Sequence, residues 1–516
     1  MKTDSKGLLI ATIAYINIPI AIFAAGFVRV YFALFLIALL AVFVFGMIRD
    51  YTKDNEVREG VVVTWPVVIV AVAAITFICI LLGFGGLFPQ AGDWYKHNAV
   101  LKDLTLRRWP VYYDLFDDCM LTYYLGQYLL PALTGKLCGS VEVSNALMCV
   151  WGIFGVVLVY FNLVRIVHAD TRLKQFVTLA ILFLFGGALA FAQIVLLGLY
   201  GDNMNSLGSY HWVLVKDIMV QYRSNLVMLR WVFPQCIVPW LVTMLLIEHR
   251  RQCKHYVALI LPTILYGSFS FAALVAIAVV EVITQILHPD SINDDTTRIR
   301  ARRKAKLRDV LSVSNIVMAL SFGLVFFFYF LGYLQIDKPL NSSFRWQLYS
   351  IDTIAVYIVF CIFMFGIYAA CTFRENKRDA IWYAAVGILL FLPWCRMGLC
   401  NDIVMSGSIP SLFILMIATI RLLFENKDVR CGIVIMCLVI GAWYPTMELR
   451  DNIRDNQPGV ELADDYPTME WFTNLEDTEV TEDLKYNYYT YEPYGKVFYE
   501  YIAAHKMEVS NYSDRQ

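Results

Sequence analysis

Apolar residues run along this chain in long blocks rather than in the alternation of strands. Blocks of roughly 17 to 25 residues are long enough to cross about 30 Å of hydrocarbon as helices. They fall at about 7–27, 30–48, 61–84, 143–167, 176–199, 226–247, 311–334, 354–373, 380–395, 404–424 and 431–444. A further block, 256–287, is too long for one span and short for two, and its Pro262 and the Gly267-Ser268 step predict two short helices. The pattern predicts an all-α, polytopic membrane protein of about 11–13 transmembrane helices.

The polar connectors give this array an orientation. Residues 298–308 carry seven Lys or Arg and no acid, which places them in the cytoplasm. The short basic connectors 165–174, 250–254, 374–378 and 427–430 fall on the same side if the 256–287 pair enters and leaves there. The N-terminus is then cytoplasmic. Three long loops, 85–142, 200–225 and 335–353, share the outer face with the C-terminal tail. The first of these, at 101–136, carries apolar residues at interrupted helical spacing and predicts helices lying along the surface.

Composition excludes the soluble alternatives. Of 516 residues, 59% are hydrophobic and 16% charged, too few charges to coat a soluble chain of this size. The net charge of −1 conceals an acidic tail of about −9 from Arg450 onward. Three regions follow: a two-helix extension at 1–60, a transmembrane core at 61–449 carrying the external loop 85–142, and the acidic external tail 450–516. Twelve Cys show no CxxC and no metal-ligand spacing, and most lie inside apolar blocks as small core residues. The basic run 298–308 beside membrane spans is read as a topology determinant on anionic lipid, with no nucleic-acid partner.

Chemistry concentrates in the outer loops. The first contains Asp93, Lys96 and His97 directly after a span, then Arg107 and Arg108, then Asp117 and Asp118. A carboxylate there, partly desolvated among cations, suits a general base or a metal ligand; the plainer alternative is an interfacial loop with Trp and Tyr at the headgroups and wet charges. The second loop brings His211 and Arg223 and leads into a span through Arg230 and Gln235, costly inside hydrocarbon unless they face a cavity or another helix. Arg396 and Asp402 lie between two late spans, as an ion pair or as part of a polar cavity. Arg345 is read as a wet loop residue. Walker, GxGxxG, HExxH and GxSxG motifs are absent.

With these residues in view, the chain resembles the GT-C superfamily of membrane glycosyltransferases, and within it a bacterial multispanning group. The resemblance rests on Gly92-Asp93-Trp94-Tyr95-Lys96-His97, Trp109-Pro110-Val111-Tyr112-Tyr113, Tyr123-Tyr124-Leu125-Gly126 with Pro131-Ala132-Leu133, Trp231-Val232-Phe233-Pro234-Gln235, and Asn401-Asp402 with Ser408-Ile409-Pro410. It covers roughly residues 61–444, with an echo at Phe498-Tyr499-Glu500-Tyr501-Ile502. It implies a bacterial inner-membrane enzyme with its active site on the outer face. The donor would be a polyprenyl-phosphate sugar, the acceptor a glycan, lipid or protein, and an acidic residue of the first loop, here Asp93, would be catalytic base or metal ligand. The sequence leaves a divalent cation, Mg or Mn, open. Met405 is followed by Ser406 where relatives often carry Arg, so Arg396 is the substitute candidate for the phosphate-binding cation.

The chemistry also has a case without the name. A lipid-phosphate sugar brings its own leaving group to the membrane surface, so transfer needs a carboxylate for the acceptor hydroxyl, cations for the departing phosphate and an apolar groove. Asp93 supplies the first, and Lys96, His97, Arg107, Arg108, His211, Arg230, Gln235, Arg396 and Asp402 are the candidates for holding substrate. The rival from another class is a transporter or flippase for lipid-linked saccharides, to which the broken 256–287 segment belongs by type.

Overall fold

The computed structural model of the chain describes residues 6–55, 60–88, 90, 92–113, 118–204, 209–288, 296–332, 343–398, 400–455, 468–469, 488–491, 493 and 496–506. Asp117 and most of the acidic tail lie outside the described residues. An antiparallel pair opens the fold, α1 (Lys6–Phe27) and α2 (Val30–Asn55). Next come α3 (Trp65–Leu81), α4 (Asp93–Leu106), α5 (Gly126–Cys138), α6 (Val141–Ile166), α7 (Arg172–Leu184), α8 (Leu189–Tyr200), α9 (Asn225–Trp231) and α10 (Phe233–Glu248). The second half holds α11 (Tyr256–Ile260), α12 (Ser268–Leu287), α13 (Thr296–Val310), α14 (Val313–Met318), α15 (Leu324–Leu331), α16 (Ile354–Cys361), α17 (Ile367–Asn376), α18 (Ala380–Phe391), α19 (Asp402–Glu425), α20 (Val429–Gly441) and α21 (Trp443–Asp455).

Eight of these helices or helix runs are long and apolar enough to cross a membrane, and α7 with α8, bent by 40°, makes a ninth. The protein is therefore an all-α, multi-pass membrane protein. Helix burial sorts the spans: 94% of the α19 window is buried inside the fold, against 22% for α2, for the run Ile299–Leu331 and for Val429–Arg454. Helix α19 is the hub, and α2 turns Leu34, Phe35 and Phe45 outward, as a helix solvated by lipid does.

Local signals set the boundaries. Ser140 caps α6 by accepting from the Val143 amide, and Thr171 caps α7 through the Lys174 amide. Gly139, at φ 66°, closes α5. The 256–287 block breaks at Gly267 as its sequence predicts, but unequally: α11 and a 3-10 turn make a short arm, and α12 is a full 20-residue helix.

Contacts between connectors divide the fold into two faces. Strands β1 (Tyr112–Tyr113) and β2 (Cys119–Leu121) of the first loop form a sheet with β7 (Tyr489–Tyr491) of the tail, so loop and tail share one face. The second loop, with β3 (Val213–Val215) and β4 (Ile218–Val220), joins them there. It contacts Gln347 and Asn401, beside the pairing of β5 (Arg345–Trp346) with β6 (Cys395–Arg396). On the other face the end of α2 meets the basic connector after α10: Asp50 lies 2.8 Å from Lys254 and 3.0 Å from His255, and Asp54 lies 2.8 Å from His249.

Two expectations change. The helix α5 does not lie along the surface. Near its start Gln127 accepts a 3.1 Å hydrogen bond from Tyr15, about 18 Å of helical rise from the outer end of α1, so the start of α5 is buried beside the middle of α1 and the helix runs from there to Lys136 near the outer end. The boundary drawn at 450 also falls inside a helix, since α21 runs through Arg450 to Asp455, and of the described tail residues Tyr489–Tyr491 pair with β2 of the first loop.

Candidate functional site

Helix α4 starts where the chain leaves α3 and turns at Gly92, whose φ is 58°. A Cβ at Gly92 would stand 2.9 Å from the Trp231 ring, so glycine there lets the start of α4 press against the end of α9. Asp93 is the first residue of α4, and Lys96 follows one turn later with its ammonium 2.6 Å from the carboxylate. Their side chains keep 32% and 27% of their surface open although protein surrounds them on nearly all sides. That combination describes a pair at the bottom of a recess rather than on an open surface.

The electrostatics follow from this placement. Burial alone would raise the Asp93 pKa, but the charges of Lys96 and Arg223 and the nearby His97 hold it below the usual carboxylate value. Burial likewise opposes the Lys96 ammonium, and Asp93, with Tyr123 and Asp402 nearby, overrides it and raises the lysine pKa. Asp402 reaches the same recess from the first turn of α19, behind Gly398, whose φ of 81° and missing Cβ leave room for the carboxylate.

His97 has both ring nitrogens engaged by protein. Nε2 lies 3.0 Å from the Trp231 carbonyl and must donate to it; Nδ1, 2.6 Å from the Tyr128 hydroxyl, then accepts. Burial, which pushes its pKa down to about 4, keeps the ring neutral with the proton on Nε2. His97 therefore positions Trp231 and Tyr128. His211 is also held neutral, by burial first and by Arg223 and Arg230 next, with a pKa pushed down to about 3.

The other candidates divide by position. Gln235 accepts a 2.8 Å hydrogen bond from Ser406, one turn into α19 from Asp402, and so belongs to the wall below the recess. Arg230 stacks on Trp231 and is committed to α21, donating to the Glu448 carbonyl at 3.2 Å and to Asn452 at 3.0 Å, with the Glu448 carboxylate 3.6 Å away. It clamps two helices. Arg107 pairs with Asp103 at 3.5 Å and covers the Tyr113 ring. Arg107 and Arg108 follow the far end of α4, about 20 Å of rise from Asp93. Arg396 donates to the Asp217 carbonyl beside Arg345 in the β5–β6 pair. The fold thus sets Lys96 against Asp93, brings Asp402 near Lys96, and leaves Arg107, Arg108 and Arg396 elsewhere. His211 and Arg230 line the rim through Glu448 and Trp231.

Two contributors, Arg223 and Tyr488, stand outside the candidates for holding substrate that the sequence offers, although Arg223 is one of the charges noted in the second loop. Arg223, just before the Ser224 cap of α9, acts electrostatically on Asp93, His211, Cys400 and Glu448 at once. It bonds Gln221 at 3.0 Å and, among the described residues, pairs with no carboxylate. Tyr488 comes from the tail, its ring centroid 5.9 Å from the Lys96 ammonium and 4.5 Å from the Tyr123 ring. The position of Arg223 before an apolar block was a visible signal for it; for Tyr488 there was none.

No three His, Cys, Asp or Glu side chains converge as metal ligands among the described residues. The place beside Asp93 that a dication would take holds the Lys96 ammonium, so this donor set does not fit Mg or Mn. Compared with known proteins, the chain matches no family, no curated protein and no solved structure.

Proposed function

We propose that the protein is an integral membrane glycosyltransferase of the GT-C type, moving a sugar from a polyprenyl-phosphate donor to a glycan, lipid or protein acceptor. The observation that carries this reading is a carboxylate, Asp93, set against Lys96 in a recess that Arg223 and Asp402 also reach, at one end of a bundle of membrane helices. Asp93 takes the proton of the acceptor hydroxyl. The acceptor oxygen attacks the anomeric carbon, the bond from that carbon to the phosphate oxygen breaks, and the phosphate leaves with the electron pair. Lys96 and Arg223 meet its charge.

The ion pair gives this chemistry an order. A carboxylate held down by Lys96 is a weak base; a donor phosphate that draws the ammonium to itself releases Asp93 toward its ordinary basicity. The base is thus strongest when the donor is bound. The reading includes about 11–13 spans, a cytoplasmic N-terminus, and a site on the periplasmic face of a bacterial inner membrane.

The test is sugar transfer by the purified protein in nanodiscs from a polyprenyl-phosphate sugar, with Asp93→Asn as control. Transfer by the wild type and none by the variant supports the reading. The alternative, a transporter or flippase for lipid-linked saccharides, draws on the broken α11–α12 pair. It predicts movement of the intact lipid-linked sugar across vesicles and no new glycosidic bond.

A further inference from the structure

A second polar and apolar arrangement lies outside the Asp93 recess. One stripe of α1, formed by Ile18, Ala21, Ile22, Ala25 and Gly26, borders an open cavity of about 790 Å³, completed by Ile37 of α2, Leu133 of α5 and Trp109. Small residues make the stripe concave. A Cβ at Gly26 would stand 2.3 Å from the Trp109 ring, so the indole closes the outer end of the groove against bare backbone.

The groove is graded along its length. Ile18 is about 12 Å of rise deeper along α1 than Gly26, and the lining between them is apolar. Both cations lie at the shallow end. Lys136, in the last turn of α5, donates to the Arg107 carbonyl and sits over the Trp109 ring, 5.5 Å from its centroid. Arg108 is exposed beside it, also lining the cavity, and among the described residues neither cation pairs with a carboxylate. Ile18, 39% exposed, and the outward apolar residues of α2 open this region to the surrounding membrane.

We propose that this groove is a binding site for an anionic glycerophospholipid of the leaflet on the loop face, its chain along α1 and its phosphate between Arg108 and Lys136. Charge complementarity selects the occupant. An apolar channel alone takes any lipid chain, but two cations at its headgroup end that pair with no acid among the described residues favour a phosphate that no neighbouring ammonium neutralises. A zwitterionic lipid brings no net charge to the pair, whereas phosphatidylglycerol brings one negative charge. The site is distinct from the Asp93 recess because Arg108 lies beyond the opposite end of α4. It does not depend on any reading of that recess.

Position gives the lipid a consequence. It would fill the space between the N-terminal hairpin and α5, and α5 carries Tyr128, which holds His97.

The test is native mass spectrometry of the full chain released from nanodiscs of phosphatidylglycerol and phosphatidylcholine at equal proportion. Retention of phosphatidylglycerol should exceed that of phosphatidylcholine, and Arg108→Gln with Lys136→Gln should cut this preference roughly ten- to thirtyfold, the weight of two interfacial cations. Ala25→Phe, which fills the groove and leaves both cations, should remove the retained lipid altogether. The melting temperature in pure phosphatidylcholine, unchanged by the double substitution, shows that the fold survives. Equal retention of the two lipids, or an undiminished preference in the double variant, overturns the site. Preferential retention of a prenyl phosphate over phosphatidylglycerol also overturns it, by assigning the groove to another ligand. None of these readouts involves sugar transfer.

Discussion

The Lys96 ammonium lies 2.6 Å from the Asp93 carboxylate, one turn away on the same helix, at the foot of a recess. A pair so close is electrostatically one unit. Asp93→Asn keeps the shape and removes the base, so transfer should fall to background. Lys96→Gln should lower it by roughly 10²–10³, the loss typical of one transition-state contact. The double variant should be no worse than Asp93→Asn, because both residues serve one step. Multiplicative losses in initial-rate measurements would separate them.

Arg223 and Arg230 are close in sequence and opposite in role. Arg223→Gln should reduce turnover with little change in melting temperature, since among the described residues no carboxylate pairs with it. Arg230→Gln strips Glu448 of its buried partner and should destabilise the fold by roughly 3–5 kcal/mol. Adding Glu448→Gln should recover part of that loss. Thermal unfolding in detergent, alongside transfer assays, reads both.

Tyr488 joins the acidic tail to the site, against Lys96 and Tyr123. Tyr488→Ala should weaken donor binding, raising KM by about threefold to tenfold for the loss of one aromatic and cation contact. An unchanged KM would reduce the tail to a structural strap.

His97 sets a pH dependence. Burial holds its pKa at about 4 in the fold, against an ordinary 6.5. Between these values the unfolded chain binds a proton that the folded one does not, so stability rises with pH across this window. The contribution is full above about pH 6.5 and lost as pH falls toward 4. His211, at about 3, adds a second slope of the same sign. Melting curves from pH 4 to 7 should therefore be shallower for His97→Gln than for the wild type. Parallel curves would place a charged imidazole in the fold.

Topology follows from the strand pairing of Met120 with Thr490, which holds the first loop and the tail on one face. Reporters fused after residue 516 and inserted near residue 300 should report opposite sides of the membrane. The same side for both would break the two-face arrangement.

The sequence by itself determined the solvent and the class. Apolar blocks too long for a soluble core and too few charges to coat one leave a bundle of membrane helices, and hydrophobic length alone fixes where most of them run. It also marked Asp93 and Lys96, because neighbours three apart on a helix meet whatever the rest of the chain does. The tertiary structure decided which distant residues join them. Arg223, Asp402 and Tyr488 reach the Asp93–Lys96 pair from three other segments, while Arg108, fifteen positions from Asp93 in the chain, is carried to the far end of a helix. A buried arginine such as Arg230 announces in sequence only that some partner must exist. Whether that partner is a substrate phosphate or Glu448 depends on how helices pack, and packing is set by surfaces that a linear pattern does not contain.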